Sequence, residues 1–335
     1  MTEVDCPAAR AQEPGPEAED TGFVHEALYV DSVPAAVGVL TPLLSAGLDR
    51  DEPVVLACTE SVTAQLLAAV GAGPRVVVLD RGTGRRRYVT ALTACREMME
   101  GKLVSGARRV HLVAEPGYWD PAADGPEPGR VEAAVNHALR NHPLSTVCLY
   151  DTSRLPARVL ADGLLTHPLL RDDRGCTVNG RYLAPGEYLR GSLPGGPEPV
   201  EADLPVCEIN GLFDLQALRE ALRATAGDTR ALPPGSGGSE VLQDFMVAVN
   251  EVATNALRHG RPPVDVRVWS APDRLVCTVS DRGRGVDDPF AGYLSPEGCG
   301  VAEGGMGLWL ARQCCDRLDT MIHPWGFLVR LVSRR

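Results

Sequence analysis

The stretch Val249–His259, V-N-E-V-A-T-N-A-L-R-H, has the spacing of an amphipathic helix. Glu251 and Asn255 are four residues apart, so on a helix they stack one turn apart on one face. Phe245, Val249, Val252 and Leu257 form the apolar register that faces a core. A carboxylate and an amide on one polar stripe suit an oxygen-ligated Mg²⁺ with a water or hydroxyl held beside it.

Two glycine clusters follow in a fixed order. Ser280-Asp281-Arg282-Gly283-Arg284-Gly285 comes directly after an alternating apolar strand, and Glu303-Gly304-Gly305-Met306-Gly307-Leu308 directly before an apolar helix. Glycine lets backbone N–H groups come close to a phosphate and accepts positive φ, and a helix N-terminus adds a favourable dipole. Asp281, at a strand end, is placed to accept a hydrogen bond from an exocyclic amine such as that of adenine.

The three boxes E-x-x-x-N, D-x-G-x-G and G-G-x-G-L, in this order, resemble the nucleotide-binding fold shared by gyrase, the Hsp90 chaperone, histidine kinases and MutL, over roughly residues 206–335. Within that superfamily, N-E-V-A-T-N-A-L-R-H-G is most similar to the anti-sigma-factor serine kinases. The resemblance implies that Asn255 ligates Mg²⁺, that Asp281 reads adenine, and that Gly283, Gly285, Gly304, Gly305, Gly307 and Leu308 shape the ATP or ADP pocket and its lid. Glu251 would orient or deprotonate the attacking hydroxyl. One position departs from the pattern: the last strand of the family usually reads G-T-x-V, and here it reads Gly326-Phe327-Leu328-Val329. Losing the threonine hydroxyl removes a polar contact worth about 1 kcal/mol.

Composition sets broader bounds. At 335 residues the chain has room for two domains, each with a sizeable core. A formal net charge of -11, with no basic stripe, argues against a nucleic-acid groove. The ten cysteines include no C-x-x-C pair and no zinc-finger spacing, so they read as buried thiols of a reducing cytosol. Neither an N-terminal signal nor a bilayer-length apolar run is present, which gives the expectation of a soluble, cytoplasmic protein away from membranes.

Residues 1–21 are acidic and aperiodic, a disordered tail by composition. From 22 to 170 apolar strands alternate with amphipathic helices: strands at 23–29, 54–58, 75–79, 110–114 and 146–150, with helices at 33–46, 62–70 (capped by Ser61), 88–100, 130–141 and 156–166. Repeated β-α units imply a parallel sheet covered on both faces, with ligands expected beyond the carboxyl ends of the strands. No P-loop sequence occurs. His25–Tyr29 (H-E-A-L-Y), Val113–Pro116 (V-A-E-P), Cys148–Pro156 (C-L-Y-D-T-S-R-L-P) and Thr166–Pro168 (T-H-P) resemble the MEDS sensory domain of methanogen and methylotroph regulators. That resemblance implies a sensor of a small-molecule signal; His25, Glu115 and His137 are candidate ligand or redox contacts, with a satisfied helix or strand residue as the alternative for each.

Residues 171–204 are dense in Gly and Pro and read as a linker with a short hairpin around 176–182; no heptad helix carrying a phospho-acceptor histidine is visible. Residues 205–335 read as a strand at 205–209, helices at 212–226 and 240–259, a hairpin over 264–280, a lid loop at 287–303, a helix at 306–318 and strands at 320–323 and 327–332. The expected fold is thus a two-domain α/β chain: an N-terminal parallel α/β sandwich and a C-terminal Bergerat-type two-layer α/β sandwich with a mixed sheet. The resemblances together imply a sensor-coupled anti-sigma kinase. Its partners would be a sigma factor and a STAS-domain anti-anti-sigma protein, and a homodimer is allowed. A catalytically weak sequestration module and a histidine kinase are the alternatives.

Overall fold

The computed structural model describes residues 22–79, 96–103, 105–116, 127–192, 196–227, 238–293 and 306–334. The N-terminal tail, most of the helix expected at 88–100 and most of the lid loop lie outside them.

Seven strands form the first sheet: β1 (Val24–Val30), β2 (Val54–Ala57), β3 (Val76–Val78), β4 (Val110–Ala114), β5 (Leu144–Asp151), β6 (Leu169–Asp172) and β7 (Gly175–Val178), in the order β3-β2-β4-β5-β1-β6-β7. All pairings are parallel except β6–β7, which is a hairpin. Alternation along β2 shows why both faces need cover. Val54 and Leu56 pack under helices α1 (Val33–Asp49) and α2 (Glu60–Val70), whereas Val55 and Ala57 point to the other core. That second face is closed by α3 (96–103), α4 (Glu127–Leu139) and α5 (Ala157–Thr166). Ser61 does not cap α2: the helix starts at Glu60, and the backbone N–H of Thr59 at the N-cap is satisfied by the Glu115 carboxylate instead.

The second sheet has the order β11-β12-β10-β9-β8, from β8 (Cys207–Ile209), β9 (Asp265–Ser270), β10 (Arg274–Asp281), β11 (Arg317–His323) and β12 (Gly326–Arg334). It is antiparallel in every pairing rather than mixed. Two helices, not one, separate β8 from β9, so the chain returns in the opposite direction instead of making a parallel crossover. Those helices are α7 (Leu215–Gly227) and α8 (Gly238–His259); with α9 (Met306–Cys314) they pack on one face. In α8, Phe245, Ala248, Val249, Val252, Ala253 and Ala256 are buried at helical spacing, and Leu257 is partly buried against the same core. The start of α7 falls at Leu215 because Asp214 accepts from the N–H of Gln216 at 2.9 Å, while Leu212 before it is buried in the core.

The segment expected to be a linker is built into the fold. β6 and β7 extend the first sheet, a short helix α6 (Pro185–Gly191) seats Tyr188 against α4, and a 3₁₀ turn at Pro199–Ala202 covers the second sheet's other face. There Val200 packs on Trp269, Val276 and Val332, and the Trp269 indole donates to the Asp203 carbonyl at 3.0 Å.

Helix α4 lies between the two halves. It buries Glu127, Arg130, Val131 and Ala134, and the charged members pair across the boundary. Arg130 Nη1 reaches Asp319 Oδ1 at 2.7 Å, and Arg312 Nη1 reaches Glu127 Oε1 at 3.0 Å. Asp319 also accepts from Arg317 Nε at 2.9 Å, and Arg317 bonds Glu198 Oε1 at 2.6 Å. Tyr293 is buried against Val131 and Ala134, with the Arg312 guanidinium 3.8 Å over its ring. Among the described residues, no helix is long and apolar enough to cross a membrane.

Candidate functional site

The three sequence boxes converge at one end of the second sheet. Helix α8 holds Glu251 and Asn255 half-buried on its polar stripe, and neither side chain has a hydrogen-bond partner among the described residues. The first turn of α9 lies directly over them. A Cβ added at Gly307 would stand 2.9 Å from Asn255 Nδ2 and 3.2 Å from Glu251 Oε2, so only glycine lets the α9 N-terminus approach this stripe. A helix N-terminus beside a carboxylate and an amide is the arrangement that receives phosphate oxygens and their counter-cation.

Asp281 ends β10 and is 6% exposed. Its Oδ1 accepts from the N–H groups of Gly283 at 2.5 Å and Arg261 at 3.1 Å, which fixes the carboxylate and directs Oδ2 elsewhere. Gly260 and Gly283 both crowd this carboxylate: a Cβ on either would fall within 2.7 Å of it. Gly285 has φ +81° and lies on the Phe327 ring, where a side chain would clash at 2.5 Å. Phe327 pairs with Asp281 in the β10–β12 register and belongs to the hydrophobic core, so it backs the glycine turn with an apolar surface. Leu308 is likewise core: its side chain is 8% exposed and holds α9 in place. Gly304 and Gly305 lie outside the described residues. The residues present therefore fit a nucleotide with Mg²⁺: an acceptor carboxylate, a glycine cradle and an amide–carboxylate pair under a helix N-terminus.

In the first domain the three residues singled out in the sequence do not form one site. Glu115 binds the α2 N-terminus through Thr59. His137, on α4, stacks on Phe290 with ring centroids 3.9 Å apart, and burial and Arg140 hold its imidazole below the usual range. Its place is the boundary with the loop that follows β10. His25 instead meets Glu132, Cys148 and His167, three residues that sequence reasoning did not single out. This cluster lies on the α4–α5 face of the sheet rather than beyond the strand ends. Burial, with His25 alongside, pushes the His167 imidazole down to about 3, and burial followed by the Glu132 charge pushes the Cys148 thiol well up. Cys148 and His167 were visible in C-L-Y-D and T-H-P, but only the fold brings them to Glu132.

Comparison with known proteins agrees with both resemblances. Residues 24–168 match the family model of MEDS, the methanogen/methylotroph DcmR sensory domain. Residues 214–332 match that of the histidine kinase-like ATPase domain. Among solved structures, the RsbU and RsbW domains of Rv1364c from Mycobacterium tuberculosis match at 18% identity with a TM-score of 0.26, covering 38% of this chain. The matched part spans 31% of that chain's length. The search of curated proteins found no match.

Proposed function

We propose that this chain is a sensor-coupled anti-sigma regulatory factor. Its second domain binds Mg·ATP, sequesters a sigma factor, and transfers phosphate to a serine or threonine of a STAS-type anti-anti-sigma partner. The observation that carries the reading is the approach of Gly307, in the third sequence box, to Glu251 and Asn255 of the first. The similarity of N-E-V-A-T-N-A-L-R-H-G to anti-sigma serine kinases supplies the partner class.

In this reading Asn255 holds Mg²⁺ through its amide oxygen, and Asp281 accepts from the adenine amino group through Oδ2. Glu251 orients the acceptor hydroxyl and takes its proton. Bound Mg²⁺ would supply charge neutralisation on the transferred phosphate. Helix α4 supports coupling to the sensor, because it is rooted in the first domain and meets α9, β11 and the loop after β10. A ligand that shifted α4 would need a differential affinity of ~1–3 kcal/mol to change partner binding by roughly 5–150-fold.

The test is transfer of labelled γ-phosphate from ATP to purified STAS-domain proteins from the same cell. Label on a partner serine or threonine, lost in Glu251→Gln, is the expected result; no label on any partner, with ATP bound, removes the kinase assignment. A nucleotide-dependent sequestration module is the second reading, and Phe327 favours it, since an apolar ring stands where the family places a hydroxyl.

A further inference from the structure

We propose that His25, Glu132, Cys148 and His167 bind one divalent transition-metal ion of the zinc class, giving the first domain a buried metal site on the inner side of α4. The inference stands apart from the nucleotide chemistry of the second domain.

Distances come first. His25 Nε2 lies 3.3 Å from Glu132 Oε2 and 3.4 Å from Cys148 Sγ. His167 Nε2 lies 3.9 Å from Glu132 Oε2, and Cys148 Sγ lies 3.9 Å from the same carboxylate. All four donor atoms fall within 4.8 Å of one another. A tetrahedral zinc with bonds of about 2.0–2.3 Å requires ligand–ligand separations of roughly 3.3–3.8 Å. The cluster needs only small side-chain movements to reach that geometry.

The proton inventory points the same way. His167 Nδ1 faces the Gly163 carbonyl at 2.9 Å; a carbonyl only accepts, so Nδ1 carries the proton and Nε2 turns a lone pair into the cluster. Nε2 is buried and has no hydrogen-bond partner. His25 repeats the pattern. Asn136 Nδ2 donates to the carbonyls of Glu132 at 3.2 Å and Thr166 at 2.7 Å, so its Oδ1 faces His25 Nδ1, at 3.0 Å, as an acceptor. His25 Nδ1 is therefore the donor, and its Nε2 lone pair also points inward. Two imine nitrogens, a carboxylate and a sulfur converge on one point with a single thiol proton among them. Such a set of acceptors repels itself unless a cation is shared, and the outward Nδ1–H bonds are those that orient metal-ligating histidines. Glu132 is the less buried partner, its side chain 21% exposed while both imidazoles are at 1% or below. Two nitrogens, one oxygen and one sulfur select zinc-like ions over magnesium or calcium.

The site is tested on the full chain, stripped with chelator, kept reduced with a phosphine, and titrated with Co²⁺ alone. The expected result is one equivalent bound, with a thiolate-to-cobalt charge-transfer band and the strong visible bands of a tetrahedral site, both bleached by one equivalent of Zn²⁺. Cys148→Ser should remove the charge-transfer band. Glu132→Ala, in a helix that tolerates alanine, should weaken Co²⁺ by roughly tenfold or more with the circular dichroism of the parent. The proposal is overturned if the folded parent shows no such band at excess Co²⁺. It is also overturned if the band persists in Cys148→Ser, or if Glu132→Ala binds Co²⁺ as tightly as the parent, which covers the case in which the serine variant does not fold.

Discussion

At Gly307 one hydrogen atom separates a pocket from a blocked surface. Replacing it by alanine places a methyl 2.9 Å from Asn255 Nδ2 and pushes aside the amide that would hold Mg²⁺. Alanine is also the best helix former, so Gly307→Ala should leave the melting temperature near the parent's and lower Mg·ATP affinity about tenfold or more, ~1.4 kcal/mol, in calorimetry. A parent-like dissociation constant would put the phosphates elsewhere. Asp281→Asn makes a different cut. The amide oxygen can keep the bonds from Gly283 and Arg261, so the turn stays folded while the charge proposed to face adenine is gone. Affinity for ATP should fall by ~1.5–3 kcal/mol, with discrimination between adenine and guanine nucleotides reduced. The placement of Glu251 and Asn255 on one helix stripe and of Asp281 at a strand end was legible in the sequence because local spacing decides it; the approach of Gly307 to that stripe was not. Phe327 was legible as a departure, but its contact with Gly285 was not, since strand register sets it.

Among the elements, α4 was the hardest to read. The expected helix began at Arg130 and left Glu127 outside it, yet the helix starts at Glu127, Glu127 and Arg130 are buried, and Glu132 closes the histidine–cysteine cluster. Their partners lie far off in sequence, Asp319 and Arg312 for the first two, so periodicity carries no trace of them. Removing Arg130 leaves Asp319 with Arg317 and Glu127 with Arg312, so each buried carboxylate keeps one cation. Arg130→Ala should therefore destabilise the chain in urea unfolding by less than the ~3–5 kcal/mol of a fully stranded buried charge, and Arg130→Met with Asp319→Leu should cost less than the two single changes summed. His137→Ala tests the contact with Phe290: it should cost ~0.5–1.5 kcal/mol and speed hydrogen exchange in the loop after β10. By contrast α8 and the β9–β10 hairpin follow from apolar spacing alone. The expectation of a mixed second sheet did not hold, although the two helices expected between its first two strands already return the chain in the opposite direction.

For the whole molecule, the layout joins two α/β units through buried charge rather than through a loose tether. Residues 171–204 looked like a linker because Gly and Pro are dense there, but the same residues make β7, α6 and the turn that carries Glu198 to Arg317 and Arg274. In the proposed function, a signal received in the first unit would have a packed route, through α4, to the helix and loop that border the proposed nucleotide pocket. The most direct test of that pocket is calorimetry of the full chain with ATP, in Mg²⁺ and in chelator, for the parent and Asn255→Ala. The expected result is Mg²⁺-dependent binding in the parent, and an affinity in Asn255→Ala that no longer responds to Mg²⁺. No heat from a folded parent, or an Asn255→Ala variant that binds Mg·ATP as the parent does, would contradict it.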